Sequence, residues 1–169
     1  MKIPILHLEE GHHHFVDTIT GGSLQFYRNE IYPSDLSVEI DLDKFEKNIS
    51  CRISISTVAH YQCDRCLTEY DRNFSEQLDI LFHIGPEEIE TEEDEVISIS
   101  PDIKEIDIAP FIEECLIVSI PMKLLCKESC KGICAGCGAD LNTERCSCEE
   151  KPHDSRWDKL MEIKKTNRK

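Results

Sequence analysis

Long hydrophobic runs are absent from this chain of 169 residues, and the longest one, Cys115 to Val118, has only four members. A helix needs about 20 apolar residues to cross a bilayer. The apolar stretch around Pro4 is too short for the core of a signal peptide. We therefore expect a protein that stays in the cytoplasm and has no membrane partner.

Positive charge and aromatic side chains are also scarce. The chain has 19 Lys and Arg residues and 34 Asp and Glu residues, which gives a net charge of −15. This charge excludes a generic basic nucleic-acid binder. Aromatic residues make up 7% of the chain and hydrophobic residues 40%, as in a soluble domain with a modest core. The sequence has no glycine-rich phosphate loop, nucleophile elbow or pair of catalytic carboxylates. We predict that the protein is not an enzyme and takes no small-molecule substrate.

The hydrophobic pattern predicts several strands and one helix. Apolar residues alternate with polar ones over residues 36–42, 49–55 and 74–84, which is typical of half-buried antiparallel strands. The segment YQCDRCLTEY, between the last two stretches, fits the tip of a hairpin. A short β-like run covers residues 96–99. One face of a helix is indicated by Ile108, Phe111, Ile112, Cys115 and Leu116.

Cysteine is abundant, and its spacing predicts metal ligands. In a reducing compartment, ten cysteines are more readily explained by metal ligation than by disulfides. Eight of them make two tetrahedral four-cysteine zinc sites, and Gly138 supplies the flexible residue that a zinc knuckle needs after a C-x-x-C pair. The eight predicted ligands are Cys63, Cys66, Cys126, Cys130, Cys134, Cys137, Cys146 and Cys148.

Two arrangements of these ligands remain open. The preferred arrangement places the last four cysteines on one structural zinc ion and the first four on another, which ties the hairpin tip to the segment after the helix. The alternative joins Cys63 and Cys66 to Cys134 and Cys137, as in a zinc ribbon. A C-x-x-C pair can also be a redox dithiol, but the βαβ context that would support this reading is missing.

The remaining cysteines and a histidine triplet receive simpler interpretations. Cys51 and Cys115 lie within the predicted strand and helix patterns, and we expect them to be buried like small hydrophobic residues. His12 to His14 predict a surface turn, with a metal-binding role as the alternative.

Composition and motifs together predict an α+β fold. Seven of the nine residues from Glu87 to Glu95 are acidic, which indicates a solvated loop. The fold consists of an antiparallel β-sheet domain with one main helix and a C-terminal, cysteine-rich zinc-knuckle module. Its parts are a β domain over residues 1–85, an acidic loop over 86–105, a helix packed on the sheet over 106–121, a zinc-binding module over 122–150 and a basic tail over 151–169.

The order of the motifs resembles that of the YceD family, bacterial and plastid proteins linked to accumulation of 23S ribosomal RNA. The motifs are CDRCLTEY, IDIAPFIEECLIVSIP, CKESCKGICAGCGADLN, CSC and DSRWDKL, and the similarity covers residues 36–163. The resemblance implies a factor in biogenesis of the large ribosomal subunit. Its motif positions correspond here to Cys63, Arg65, Cys66, Cys134, Cys137, Gly138, Leu141, Asn142, Asp154 and Arg156, with Ser155 in place of the family's proline.

Contact with RNA requires local cations in a chain of negative net charge. We hypothesise that the zinc sites bring basic groups onto one face and that Trp157 stacks on an unpaired base. A second hypothesis is an adaptor whose acidic loop binds a basic ribosomal protein, and a third is a zinc or thiol enzyme. The predicted RNA-contacting residues are Arg65, Arg72, Lys127, Lys131, Arg145, Arg156, Trp157 and Lys159.

Overall fold

The computed structural model of this chain describes residues 1–6, 8–26, 28–85 and 96–148. The acidic run of the predicted 86–105 loop and the whole basic tail lie outside these described residues. The predicted RNA-contacting residues Arg156, Trp157 and Lys159 lie outside them as well.

In the described part of the chain, two sheets, one α-helix and a short 3-10 helix make up the regular structure. The elements are β1 (Lys2–Pro4), β2 (Gly11–Ile19), a short 3-10 helix (Asn29–Ile31), β3 (Leu36–Phe45), β4 (Asn48–Gln62), β5 (Glu69–Ile84), β6 (Val96–Ile99), β7 (Glu105–Asp107) and α1 (Ala109–Val118). The main sheet has the order β2-β3-β4-β5-β6, and β1 pairs with β7 in a second, two-stranded sheet. The described structure is therefore mostly sheet with one helix, as the α+β prediction states. Within the described residues, no helix is both long and apolar enough to span a membrane.

The alternation of apolar and polar residues gives the main sheet one buried face and one exposed face. Successive side chains of a strand point to opposite sides, so the polar residues between the apolar ones face away from the core. The apolar residues of β3 and β4 that line the core are Leu36, Val38, Ile40, Leu42, Ile49, Cys51, Ile53 and Ile55, each at most 2% exposed.

Helix α1 packs its apolar stripe into the same core. Ile108, Ile112 and Leu116 are fully buried and follow one another at intervals of four residues. Pro110 lies in the first helical turn, where its missing N–H removes no intrahelical hydrogen bond. The hydroxyl of Tyr32 donates a hydrogen bond to the Leu116 carbonyl oxygen at 2.9 Å, which ties the helix to the segment before β3.

The main sheet differs from the prediction in one pair of strands. β2 to β5 are antiparallel, but β6 pairs in parallel with β5, with Leu81 opposite Val96 and Ile84 opposite Ile99. The sheet is therefore mixed. Apolar periodicity indicates that a strand exists, but it carries no information about the direction in which the strand pairs.

The histidine triplet is a second difference, because it lies in β2 and not in a surface turn. His12 is opposite Asp43 of β3, and His14 is opposite Asp41. The Nδ1 atom of His12 lies 3.2 Å from an Asp43 carboxylate oxygen, and that of His14 lies 2.8 Å from an Asp41 oxygen. Such cross-strand pairs stabilise an antiparallel ladder, which explains why consecutive histidines are accommodated in a strand.

The hairpin of β4 and β5 positions the cysteine-rich part of the molecule. Its strands pair from Asn48 opposite His83 to Gln62 opposite Glu69. Residues 63–68 therefore form the hairpin tip, which contains the CDRC segment where the sequence predicted it.

Candidate metal centres

The eight predicted ligand cysteines form two groups of four. The first cluster is Cys63, Cys66, Cys126 and Cys130, and the second cluster is Cys134, Cys137, Cys146 and Cys148. Within each cluster, all the sulfur atoms lie within 4.8 Å of one another. In the part of the chain that the structure describes, no other set of His, Cys, Asp or Glu side chains meets that spacing. The grouping is the arrangement that ties the hairpin tip to the segment after the helix, and not the zinc-ribbon alternative.

The first cluster joins the hairpin tip to the chain that follows α1. The Sγ atoms of Cys63 and Cys130 lie 3.8 Å apart, and those of Cys66 and Cys126 lie 3.6 Å apart. Cys63, Cys66 and Cys130 are 0%, 9% and 3% exposed. This cluster therefore forms a small core of its own at the end of the main sheet, with Tyr70 and Leu125 packed against it.

The second cluster draws all its sulfurs from residues 134–148 and lies at the surface. Cys134 is half-buried, and the other three cysteines are exposed. The Cys134 Sγ atom lies 3.3 Å from that of Cys146 and 3.8 Å from that of Cys148, and the Cys137 and Cys146 sulfurs lie 3.7 Å apart.

The sulfur geometry fits a tetrahedral metal ion. A zinc ion bound by four thiolates at about 2.3 Å places neighbouring sulfurs about 3.8 Å apart. Five sulfur pairs of the two clusters lie 3.3 to 3.8 Å apart, and every other pair within a cluster lies within 4.8 Å. A disulfide would bring two sulfurs to about 2.05 Å, whereas all ten cysteines are free. Four-sulfur sets of this kind are typical of zinc or iron, and a closed zinc set has no open position for catalysis.

The two C-x-x-C turns have the same backbone hydrogen bonds. The N–H of Leu67 donates to the Cys63 carbonyl at 2.9 Å, and the N–H of Gly138 donates to the Cys134 carbonyl at 2.9 Å. Both residues that follow the second cysteine are left-handed, with φ of 61° at Leu67 and 76° at Gly138. The predicted need for a flexible residue at position 138 is thus explained by its positive φ. In the hairpin tip a leucine adopts the same conformation.

The pKa values within each cluster diverge because backbone N–H groups favour the thiolate of some cysteines, whereas burial or neighbouring sulfurs disfavour that of others. Burial opposes ionisation of Cys63, but the backbone N–H groups of Cys126, Cys66 and Arg65 lower its pKa to about 6. Burial and the neighbouring sulfurs raise the pKa of Cys126 to about 12.

The second cluster repeats this division. The backbone N–H groups of Ala139 and Ser147 lower the pKa of Cys137 to about 6, whereas the nearby sulfurs of the cluster raise the pKa of Cys148 to about 12. Four thiolates this close repel one another unless a cation balances them. Both donor sets therefore fit a divalent metal ion.

Hydrogen bonds connect the hairpin tip directly to the cysteine-rich segment. The Asp64 carboxylate accepts from the Leu124 N–H at 2.7 Å, and the Asp64 N–H donates to the Leu124 carbonyl at 2.8 Å. The Arg65 guanidinium donates to the Cys130 carbonyl at 2.7 Å, and the Arg65 carbonyl accepts from the Ile133 N–H at 3.0 Å. These bonds fix the tip against the beginning of the second C-x-x-C turn.

Asn142 connects the two clusters. Its side-chain amide donates to the Cys130 sulfur of the first cluster at 3.5 Å, and its side-chain oxygen accepts from the Lys131 N–H at 2.9 Å. Gly132 lies between the two clusters in the sequence, and its φ is 77°. A Cβ atom at this position would come within 2.9 Å of the Arg65 carbonyl oxygen. The contacts of Asp64 and Asn142 were not predicted, since polar residues in a loop give no sequence signal for a particular partner.

The predicted RNA-contacting residues that the structure describes are all exposed residues at or near the clusters. The Arg65 guanidinium donates a hydrogen bond to the Cys130 carbonyl, so this side chain has a structural role in the hairpin tip. Arg72 lies on β5 opposite Ala59, a few residues from the hairpin tip. The other three are Lys127, Lys131 and Arg145.

The two remaining cysteines differ in burial. Cys51 is fully buried in the core, and this burial raises the pKa of its thiol to about 12. Cys115 is only half-buried, so the expectation of a buried residue is wrong for it. It lies on α1 beside a cleft that the helix shares with β5.

Comparison with known proteins gives one matching family. The family described as "Large ribosomal RNA subunit accumulation protein YceD" matches residues 51–164. The matched range contains both clusters, the hairpin tip and α1. No solved structure matches this chain.

Several relatives are similar to longer or shorter parts of the chain. It is 26% identical over 161 residues to "Large ribosomal RNA subunit accumulation protein YCED homolog 1, chloroplastic" of Arabidopsis thaliana, an alignment that covers 79% of this chain and 50% of that protein. A Zea mays protein of the same name is 43% identical over 47 residues, or 27% of this chain and 16% of that protein. An uncharacterized protein of Mycobacterium tuberculosis is 29% identical over 140 residues, or 79% of this chain and 66% of that protein. The chain thus spans about half the length of the Arabidopsis relative.

Proposed function

This chain belongs to the YceD family of large ribosomal RNA subunit accumulation proteins, and from that membership we propose that it supports accumulation of 23S ribosomal RNA. It does so by binding the RNA, or an assembly intermediate that contains it, through a basic face that zinc stabilises. Such a role belongs where ribosomes are assembled, which for a bacterial cell is the cytoplasm.

The observation that carries the proposal is the placement of cations around the two clusters. Lys127 lies between two ligands of the first cluster, Lys131 follows its last ligand, and Arg145 precedes Cys146 of the second. All three side chains are exposed. Binding to phosphates requires such local cations even where the net charge is negative, and metal-organised loops of this kind are known to present residues to single-stranded RNA.

Zinc, held by the first and second clusters, would supply a structural cross-link between segments that have few large apolar residues. A zinc ion with four thiolates carries a formal charge of about −2. The same lysines and arginine therefore also balance the thiolates, and an experiment has to separate this effect from contact with RNA.

The proposed function is not enzymatic. Each cluster supplies four sulfurs, so a bound ion has no free position for water or substrate. The C-x-x-C pair of the hairpin tip, considered from the sequence as a redox dithiol, lies in the buried first cluster together with Cys126 and Cys130.

Cross-linking in the native cells tests the proposal. The tagged protein is irradiated with ultraviolet light, and the attached RNA is sequenced. We expect a focused peak in 23S ribosomal RNA for the unmodified chain. The triple variant Lys127→Gln, Lys131→Gln and Arg145→Gln should lose most of this peak, because three phosphate-binding cations are removed.

A matched triple variant controls for charge. Lys2→Gln, Lys47→Gln and Lys104→Gln remove the same number of exposed cations away from the clusters and should keep the peak. Zinc content is measured for both triple variants, so that loss of metal is distinguished from loss of RNA contact. Equal peaks in the two triple variants, with zinc retained in both, would contradict the proposed RNA-binding face.

A further inference from the structure

A cleft of about 420 Å³ lies between α1 and the outer edge of β5, and no residue of either cluster lines it. From β5 it is lined by the consecutive residues 76–80, and from α1 by Phe111, Glu114, Cys115 and Val118. These helical residues are spaced by three, one and three positions, which places them on one side of the helix. Ile112 and Leu116, the core stripe, are not part of this lining.

The cleft lies next to a strand edge that is unpaired within the described residues. β4 pairs with β5 along its length, whereas β6 pairs with it only from Leu81 to Ile84. The cleft begins where that parallel pairing begins, with Ile97 of β6 among its lining residues. An unpaired edge beside an apolar floor is suited to an extended peptide that adds as a further strand.

The lining combines apolar side chains with carboxylates and contains no Lys or Arg. Leu78, Ile97 and Phe111 are half-buried, and the Val118 side chain is 75% exposed. Among the charged residues, Asp79 is paired with Arg52 at 2.7 Å, whereas Glu76 and Glu114 have no ion pair with a described residue. A partner that fits must therefore supply apolar side chains and positive charge.

We propose that this cleft binds an extended segment of a basic protein, which pairs with the β5 edge and places Lys or Arg side chains against Glu76 and Glu114. The chain's own acidic run, Glu87 to Glu95, is a poor occupant, because its carboxylates would lie against those of the lining. The proposal goes beyond the proposed function, since it gives the molecule a protein-binding surface separate from the RNA-binding one.

Fluorescence anisotropy with short synthetic peptides tests the proposal on the full chain. The probe is a labelled octapeptide with the repeat Val-Val-Lys-Lys, which places both valine and lysine on each face of an extended strand. One comparison peptide has glutamate in place of lysine, and another carries N-methyl groups on alternate amides, which remove the backbone donors needed for strand addition. We expect the lysine peptide to bind at least about tenfold more tightly than either comparison peptide.

Variants on the chain assign the binding to the cleft. The pair Glu76→Gln and Glu114→Gln should weaken binding of the lysine peptide about fivefold at low salt, and less at high salt, because exposed ion pairs are screened. Val118→Ser, which removes an exposed apolar group, should weaken it about twofold. The matched pair Glu39→Gln and Glu46→Gln removes the same charge from exposed positions outside the cleft and should have little effect.

Three results would overturn the proposal. The first is that no peptide binds, and the second is that the two double variants weaken binding equally, which would indicate only attraction to the net negative charge. The third concerns Trp157, the single tryptophan of the chain. An emission maximum typical of an apolar environment that moves to the red in Val118→Ser would assign the cleft to the chain's own basic C-terminal segment.

Discussion

The two clusters have the same donor set but different surroundings. In the first cluster three of the four cysteines are buried, and its ligands come from two parts of the chain about 60 residues apart. In the second cluster three of the four are exposed, and all lie within residues 134–148. The first cluster is therefore a joint between the sheet and the cysteine-rich segment, whereas the second shapes a loop.

Loss of one ligand should have the largest effect and should differ between the clusters. Cys130→Ser is expected to remove one zinc ion and to expose the whole segment 124–148, because the joint to the hairpin tip is lost. Cys146→Ser should remove the other zinc ion and expose only the second loop. Structural zinc sites contribute on the order of 10 kcal/mol to folding of their segment. Metal analysis together with hydrogen exchange of backbone amides measures both effects.

Cys115→Ser is the matched control for these substitutions, since Cys115 is half-buried and belongs to neither cluster. It should keep two zinc ions and the exchange pattern of the unmodified chain. If Cys130→Ser and Cys146→Ser give the same pattern of exchange, the distinction between joint and loop is wrong.

Removal of metal by a chelator should occur in two phases. The exposed sulfurs of the second cluster are open to attack, whereas the first cluster must open locally before its sulfurs can be reached. We expect the second cluster to release zinc roughly tenfold faster or more. Release is followed with a coloured zinc indicator, and Cys146→Ser should abolish the fast phase. A single phase in the unmodified chain would show that burial does not control release.

Asn142 offers a way to uncouple the clusters. Asn142→Ala removes a donor to the Cys130 sulfur and an acceptor for the Lys131 N–H, a loss expected to cost about 1–3 kcal/mol. Zinc release from the first cluster should become faster, although Asn142 lies in the second loop. Asn73→Ala, at an exposed position of β5, should leave both rates unchanged. Unchanged release from the first cluster in Asn142→Ala would mean that the contact does not connect the two.

The smallest expected effect concerns the left-handed residue after each C-x-x-C pair. A left-handed conformation costs an ordinary residue roughly 1–2 kcal/mol. Gly138→Leu should therefore lower the free energy of unfolding of the zinc-loaded protein. Leu67→Gly should raise this free energy by a smaller amount, because the substitution also removes the packing of a half-exposed leucine side chain. Thermal unfolding measures both. A change of the same sign in the two variants would show that the two turns are not equivalent.

Strands β3 and β4 and helix α1 were predictable because each of them buries one face. The period of two in β3 and β4 and the spacing of Ile108, Ile112 and Leu116 follow directly from that burial. β2 was not predicted, because it is an edge strand whose His12 and His14 face exposed carboxylates of β3 and supply no apolar alternation. β1 and β7 have three residues each, too few to form a period.

The clustering of the eight cysteines was predictable, whereas the contacts that support the two clusters were not. Cysteine spacing favoured the grouping that the structure has, because Cys134, Cys137, Cys146 and Cys148 lie within 15 residues, but it left the zinc-ribbon alternative open. The structural contact of Arg65, the joint made by Asp64 and the connection made by Asn142 depend on residues that are distant in sequence. Such contacts are fixed only when the hairpin tip and the cysteine-rich segment meet in space.

The separation of Cys63 from Cys130 also has a consequence for synthesis of the protein. A growing chain exposes the four ligands of the second cluster within 15 residues, so zinc can bind there as soon as they emerge. The last ligand of the first cluster, Cys130, is made before any ligand of the second, but the first cluster has to close a loop of about 60 residues. Closing so long a loop is easier once a folded sheet holds one end in place. Zinc would then attach the hairpin tip to the cysteine-rich segment only after the sheet has formed, and a zinc-starved cell would accumulate chains with a finished sheet and an unattached tip.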